Sequence, residues 1–383
     1  MTVVIAGYAR TAFVRYCGAF ARVPATALGA HAIAAALADA GVDPADVGQV
    51  VAGQVLQGAA GQNPARQSAV GAGIPLTVPA STLNVVCLSG TEAVAAGARL
   101  IAAGEARIVV ALGQESMTLA PHASAARMGR RYGSIDLIDT MAHDGLTDAF
   151  ERRSMGASTE HHGERHAIPR ADQDAWAVES HRRAAEFRDL AAAEIAPYEV
   201  KPGADAVAVD DGVRPDASTE ALARLRPAFG EGGTITAGNA SQLSDGAAAV
   251  VLADESLGTR ALARVLATAL VAGPDVSLHE QPAAAAEAAL VRAGRRVEEL
   301  ATAEISEAFA SVTLASARRM GLDLARVNPH GGAIAIGHPI GASGARLVGH
   351  AARTVAAAGP GALGVATLCG GGGQGSAVLV EAV

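Results

Sequence analysis

Apolar residues fall into short runs that alternate with longer stretches of helical spacing. The run 3–6, Val3-Val4-Ile5-Ala6, reads as a buried strand ended by Gly7. Residues 26–40 read as an Ala-rich helix closed by Gly41, followed by Asp43-Pro44 as an N-cap with proline at the first helical position. Strands are expected over 49–56, 83–87 and 107–112, with a helix opened by Ser89-Gly90-Thr91 and running to residue 103. Strands and helices alternating at this rhythm predict an α/β architecture.

The stretch from 117 to 245 breaks the rhythm. It is more polar and poorer in strands, and it holds Arg130-Arg131, His161-His162 and Glu164-Arg165-His166. Its long helical pattern over 169–190 mixes Asp, Glu and Arg and reads as an amphipathic surface helix. The stretch reads as a large excursion from the core, a lid carrying ligand contacts. From 261 the strand–helix rhythm returns. Cys87-Leu88-Ser89-Gly90, the helical run Ala98-Arg99-Leu100-Ile101 and the strand 108–113 are echoed by Gly341-Ala342-Ser343-Gly344, Ala345-Arg346-Leu347-Val348 and the strand 363–368. The echo suggests an internal duplication.

At 383 residues and ~150 residues per domain, the chain has material for two or three domains. Half of it is apolar but only 3% is aromatic, so its cores must be built from Ala, Val, Leu and Ile. Thirty Lys and Arg against 38 Asp and Glu leave a net charge of −8, which argues against non-specific nucleic-acid binding. No run of about 18 apolar residues is free of interruption, so no membrane span is expected. Met1-Thr2-Val3-Val4-Ile5 lacks the features of a signal peptide, and Glu381-Ala382-Val383 is not a targeting tail. Three cysteines do not make a disulfide framework and fit a reducing compartment, the cytoplasm.

Two of those cysteines follow apolar runs and precede tight turns. Cys87 stands just before a helix start, where the positive end of the helix dipole is expected to lower a thiol pKa; a buried, inert cysteine is the alternative. Cys369 opens Cys369-Gly370-Gly371-Gly372-Gly373-Gln374-Gly375, a run that could present bare amides to an oxyanion or simply form a flexible turn. No Gly-Lys-Ser/Thr follows, so a phosphate loop is not indicated. Cys17 reads as structural. The run 328–344 holds two histidines among glycines and prolines and feeds a helix. His338, pinned by Pro339, is placed to take a proton from a thiol, whereas His330 reads as a structural histidine. His161, His162 and His166 lack the spacing of a metal site, and no metal is expected.

Taken together, these motifs resemble the thiolase family, the acetyl-CoA acetyltransferases and 3-ketoacyl-CoA thiolases. The resemblance rests on Gly61-Gln62-Asn63-Pro64-Ala65-Arg66-Gln67, 84–90, Gly113-Gln114-Glu115-Ser116-Met117, 225–229, 236–241, 328–344 and 369–375. It implies a duplicated five-layer αβαβα core, with an N-terminal half over 1–260, a loop domain inserted at about 117–245, and a C-terminal half over 261–383. It implies Cys87 as the acyl-carrying nucleophile, His338 as its activator and a holder of a thioester oxygen, and Cys369 as the acid/base at the α-carbon. The amides of Cys87 and Gly371 would form an oxyanion hole. Arg214 and Ser241 would contact coenzyme A, and Met155 and Phe309 would line the acyl pocket. Acyl-CoA thioesters would be the substrates, with no cofactor and no nucleic-acid or membrane partner, and the assembly a homodimer or homotetramer.

Two positions depart from the family pattern. Ser306 stands before Glu307-Ala308-Phe309 where Asn or His is usual, at the place that normally fixes a water for the first oxyanion hole. Ser154 stands where many short-chain members carry His. Ser306 motivates an alternative, a related acyltransferase or ketosynthase with altered condensation. A non-catalytic acyl-CoA-binding scaffold is a third reading.

Overall fold

The computed structural model describes residues 1–129 and 131–383; Arg130, named above in the polar excursion, lies outside the described residues. The strands are β1 (Val3–Arg10), β2 (Val14–Arg15), β3 (Gln49–Gly53), β4 (Ala80–Leu83), β5 (Ile108–Ser116), β6 (His122–Ala123), β7 (Ile138–Asp139), β8 (Ser244–Asp254), β9 (Ala263–Ala272), β10 (Leu300–Ile305), β11 (Leu363–Gly370) and β12 (Gln374–Ala382). The helices are α1 (Ala25–Ala40), α2 (Pro64–Gly71), α3 (Ser89–Ala102), α4 (Met155–Gly163), α5 (Arg170–Glu186), α6 (Arg188–Ala192), α7 (Thr219–Leu222), α8 (Gln281–Ala293), α9 (Ala310–Met320), α10 (Ala333–Ile336) and α11 (Ser343–Ala358).

The main sheet runs β10-β11-β12-β9-β1-β8-β5-β3-β4. Its two wings share one plan. In one, β1 and β5 flank β8 antiparallel and β5 continues parallel to β3; in the other, β9 and β11 flank β12 antiparallel and β11 continues parallel to β10. The wings meet only at a short antiparallel step, Val4 to Arg264 and Ile5 to Ala263. Helices α3 and α11 pack against each other and against both wings, filling the middle with Val94, Ile101, Leu347, Val348 and Val355. Helices α1 and α2 cover the outer face of the first wing, and α8 and α9 that of the second. The result is the five-layer αβαβα order expected of the resemblance, built from small aliphatic side chains.

Several elements differ in extent from the sequence reading. Strand β1 continues through Gly7 to Arg10 with a bulge between Ile5 and Gly7. Gly7 is there for packing: a Cβ would lie 2.7 Å from the carbonyl of Ala36 on α1. Gly41, at φ 65°, closes α1 as expected, and the Asp43 carboxylate accepts from the Ala45 amide to start a 3₁₀ turn. The strand expected over 83–87 ends at Leu83, so Cys87 lies in a turn.

The excursion leaves β5 at Ser116 and returns at β8. Its helical pattern breaks at Phe187 into α5 and α6, and α5 is not a surface helix with an apolar stripe. Gln173, Asp174, Ser180, His181 and Arg183 on its buried face are polar. Each finds a partner elsewhere in the chain: Ser180 Oγ donates to Glu307 Oε2 at 2.7 Å, Asn239 Nδ2 donates to Asp174 Oδ1 at 2.8 Å, and Arg183 Nη1 donates to the Val327 carbonyl at 2.6 Å. Through the bonds to Glu307 and Val327 the excursion is fastened to the C-terminal half.

A close backbone contact lies where α3 and α11 begin. A Cβ on Gly90 would sit 2.6 Å from the Ala345 nitrogen, and one on Gly344 would fall on the amide and hydroxyl of Thr91. Alanine at an ordinary helical glycine gains about 1 kcal/mol of helix propensity. Overpacking against backbone costs about 1–3 kcal/mol or more. Gly344→Ala is therefore expected to lose about 2 kcal/mol net, read as a lower urea midpoint at unchanged m-value; a raised midpoint would contradict the close crossing.

Candidate active site

The turn carrying Cys87 is made by side chains hydrogen-bonding to backbone. Asn84 Oδ1 accepts from the Val86 amide at 2.9 Å, Ser89 Oγ accepts from the Val85 amide at 2.9 Å, and Ser89 Oγ donates to the Val86 carbonyl at 2.6 Å. These bonds hold Val86 at φ 52°, a left-handed conformation that a β-branched residue resists. The strain turns Cys87 out of β4's path and onto the wall of a cavity of about 610 Å³.

His338 reaches the same cavity from the loop before α11. Gly337 at φ 102° and the bond from the His338 amide to the Gln242 carbonyl fix its backbone. Its ring is oriented as well. Ser343 Oγ donates to the Pro339 carbonyl at 3.0 Å, so it accepts from His338 Nδ1 at 2.7 Å. The proton therefore sits on Nδ1, and Nε2, buried and without a partner among the described residues, carries a free lone pair. Cys369, at the end of β11, and Gly371 complete the wall.

Electrostatics correct one expectation. Burial pushes the Cys87 thiol up to about 12; its own amide and that of Gly371, both hydrogen-bonding to the sulfur, only partly oppose this, and nearby Glu115 adds to it. Desolvation thus outweighs the dipole of α3. Burial also pulls His338 down to about 4, and burial together with Cys87 raises the Cys369 thiol above its ordinary range. The resting site is a neutral imidazole between two neutral thiols.

Glu115, quoted above only as part of a motif, proves to be the buried post of this site. Its carboxylate accepts from the amides of Val55, Leu56 and Gly341 at 3.0, 3.2 and 3.0 Å, tying two loops to β5. Burial raises it to about 7. Glu307 does the same for the 328–344 loop, accepting from Trp176, Ser180, Asn328 and Ile334. The signal for both in the sequence is an acid placed just after an apolar strand run.

The other expected residues divide. Met155, Phe309, Arg214 and Ser241 all line the cavity, with Phe309 buried, Met155 and Ser241 half-buried and Arg214 exposed at its mouth. Ser154 lines it too. Ser306 does not. It is 2% exposed, its amide bonded to the Thr367 carbonyl and its hydroxyl without a partner among the described residues. Of the three histidines of the excursion, His161 and His162 pack edge to face with centroids 5.0 Å apart, His162 faces Glu151 at 3.0 Å, and His166 stacks on His279. Cys17 is exposed and away from the cavity.

Comparison with known proteins matches residues 3–256 to the thiolase N-terminal domain and residues 259–382 to the thiolase C-terminal domain. A probable acetyl-CoA acetyltransferase of Mycolicibacterium smegmatis is 48% identical over 388 residues, covering 99% of this chain and 100% of that protein. An acetyl-CoA acetyltransferase of Chromobacterium violaceum is 45% identical over 392 residues, covering 100% of each. One of Shinella zoogloeoides is 43% identical over 394 residues, covering 100% of this chain and 99% of that protein.

A neutral resting thiol has a measurable signature. Far below its pKa, the thiolate fraction of Cys87 grows about tenfold per pH unit. Its alkylation by iodoacetamide, followed by peptide mass spectrometry, is expected to keep rising from pH 7 to pH 10. Levelling near pH 8.5 would contradict the desolvated site.

Proposed function

The chain belongs to the thiolase family, and on that premise we propose that its acyl transfer runs through Cys87, His338 and Cys369. It is an acyltransferase of the thiolase type, joining two acyl-CoA thioesters to a 3-ketoacyl-CoA and free CoA, or reversing that reaction. The observation that carries the residue assignment is the convergence of two thiols and one imidazole, from segments far apart in the chain, on one apolar-walled cavity.

The proton count follows from neutral starting groups. His338 Nε2 takes the Cys87 proton as the sulfur attacks the first thioester carbonyl. The amides of Cys87 and Gly371 hold the oxyanion that forms, an interaction worth several kcal/mol in a dry site. The CoA thiolate leaves with the proton of Cys369, whose sulfur is now charged beside an acylated, neutral Cys87. That thiolate removes a proton from the α-carbon of the second thioester. The imidazolium of His338 holds the enolate oxygen while the new carbon–carbon bond forms and the Cys87 sulfur departs. The imidazolium proton then returns to Cys87, and the site is reset.

Arg214, exposed at the mouth, and Ser241 are assigned to coenzyme A, and Met155 and Phe309 to the acyl group. Ser306 is set back from the cavity wall, and the oxyanion position expected there is not part of this assignment. The alternative of a poorly condensing relative rests on Ser306 alone and is not favoured by relatives named acetyl-CoA acetyltransferases. We also assign the two halves, 1–260 and 261–383, and the loop domain inserted in the first. Exposed Leu119, Leu137 and Ile138 on that loop domain support self-association. Among the described residues no helix is long and apolar enough to cross a membrane. A cytoplasmic enzyme that works on CoA thioesters with no cofactor in the chemistry fits these features.

Cys87→Ala is expected to abolish acyl-enzyme formation, and Cys369→Ala to accept an acetyl group from acetyl-CoA yet lose condensation by about 100-fold or more. Intact-mass and peptide mass spectrometry read the first, and 3-ketoacyl-CoA formation the second. An acetyl group on any residue other than Cys87 would overturn the assignment.

A further inference from the structure

A second group of titratable side chains lies apart from the catalytic cavity. Glu304 on β10, His330 in the 328–344 loop and His350 on α11 each bring one donor atom to within 4.8 Å of the others. His330 Nδ1 is 3.0 Å from His350 Nε2, and His350 Nε2 is 3.8 Å from Glu304 Oε1. Glu304 is fully buried; Arg346 Nη1 donates to its Oε2 at 3.4 Å, and its Oε1 has no partner among the described residues. An unpartnered carboxylate oxygen beside two imidazoles is costly unless something binds it.

His350 is already oriented as a ligand. Its Nδ1 donates to Glu194 Oε1 at 2.6 Å, which leaves Nε2 with its lone pair toward His330 and Glu304. Carboxylate–histidine pairs of this kind support metal-bound imidazoles.

We propose that Glu304 Oε1, His330 Nδ1 and His350 Nε2 form a buried site for one divalent cation of the zinc type, with Glu194 orienting His350 from outside. Metal–nitrogen bonds of 2.0–2.1 Å at a tetrahedral angle place donors about 3.3 Å apart. The observed 3.0 and 3.8 Å straddle that spacing. Two imidazoles and one carboxylate suit zinc or cobalt better than calcium or magnesium. A side cavity of about 410 Å³, lined by His330, His350, Arg346 and Phe187 among others, gives the ion an entrance and a water for its fourth position. Arg10 is neutralised by Asp210 at 2.7 and 2.8 Å, Arg346 pairs with Glu304, and Arg188 also lines the side cavity. Binding replaces the bond between His330 and His350: the His330 proton moves from Nδ1 to Nε2, with no proton released and no redox change. The bound ion would clamp β10, the loop and α11 together.

The test is cobalt(II) titration of the full-length protein after removal of metals by a chelator. One saturable equivalent is expected, with visible ligand-field absorption, no near-ultraviolet thiolate-to-cobalt band, and a raised thermal midpoint. His350→Gln, and the less disruptive His330→Asn at a half-buried position, are each expected to weaken binding about tenfold or more, with folding checked by circular dichroism. No saturable binding would overturn the site, leaving Glu194, His350 and His330 as a plain hydrogen-bond chain. So would a thiolate band, which would place the ion at Cys87 or Cys369, or unchanged affinity in folded His330→Asn.

Discussion

The crossing of α3 and α11 is the contact on which the site depends. Each helix follows a functional loop, the Cys87 turn before α3 and the His338 loop before α11. Gly90 and Gly344 let the two first turns meet backbone to backbone, closer than any Cβ would permit. Cys87 and His338 are therefore delivered to one cavity by the packing of the central layer. Gly113 and Gly53 extend the same tolerance to the strands beneath, where a Cβ would fall on the Gly341 carbonyl or on Ser89.

Burial then sets the chemistry. A desolvated thiol and imidazole both prefer to be neutral, and here both are held so, with the thiol near 12 and the imidazole near 4. Such a pair exchanges its proton when a developing oxyanion is stabilised, the role proposed for the amides of Cys87 and Gly371. Glu115 and Glu307 hold the surrounding loops through seven donors between them, most of them backbone amides, at positions where a flexible loop would misplace the reacting atoms by an ångström or more.

Much of this was legible along the chain. The alternation of strands and helices, the Gly41 cap, the echo between the segments entering α3 and α11, and the singling out of Cys87, Cys369 and His338, which meet at one cavity, all rest on local pattern. What was not legible depends on contacts distant in sequence. The Cys87 turn looked like strand because Val85 and Val86 are β-branched, while the bonds from Asn84 and Ser89 that bend it are side-chain events. Helix α5 looked amphipathic because its inward polar residues find partners at Asn239, Glu307 and Val327, which periodicity cannot reveal. The expected lowering of the Cys87 pKa followed from its place before a helix; burial, which reverses it, belongs to the folded cavity.

The most direct test of the central claim is a crystal structure of the protein after exposure to acetyl-CoA. The account predicts a single acetyl group on Cys87 Sγ, its carbonyl oxygen between the amide nitrogens of Cys87 and Gly371, and His338 Nε2 as the imidazole nitrogen facing it. An unmodified Cys87, or an acetyl oxygen turned away from both amides, would contradict it.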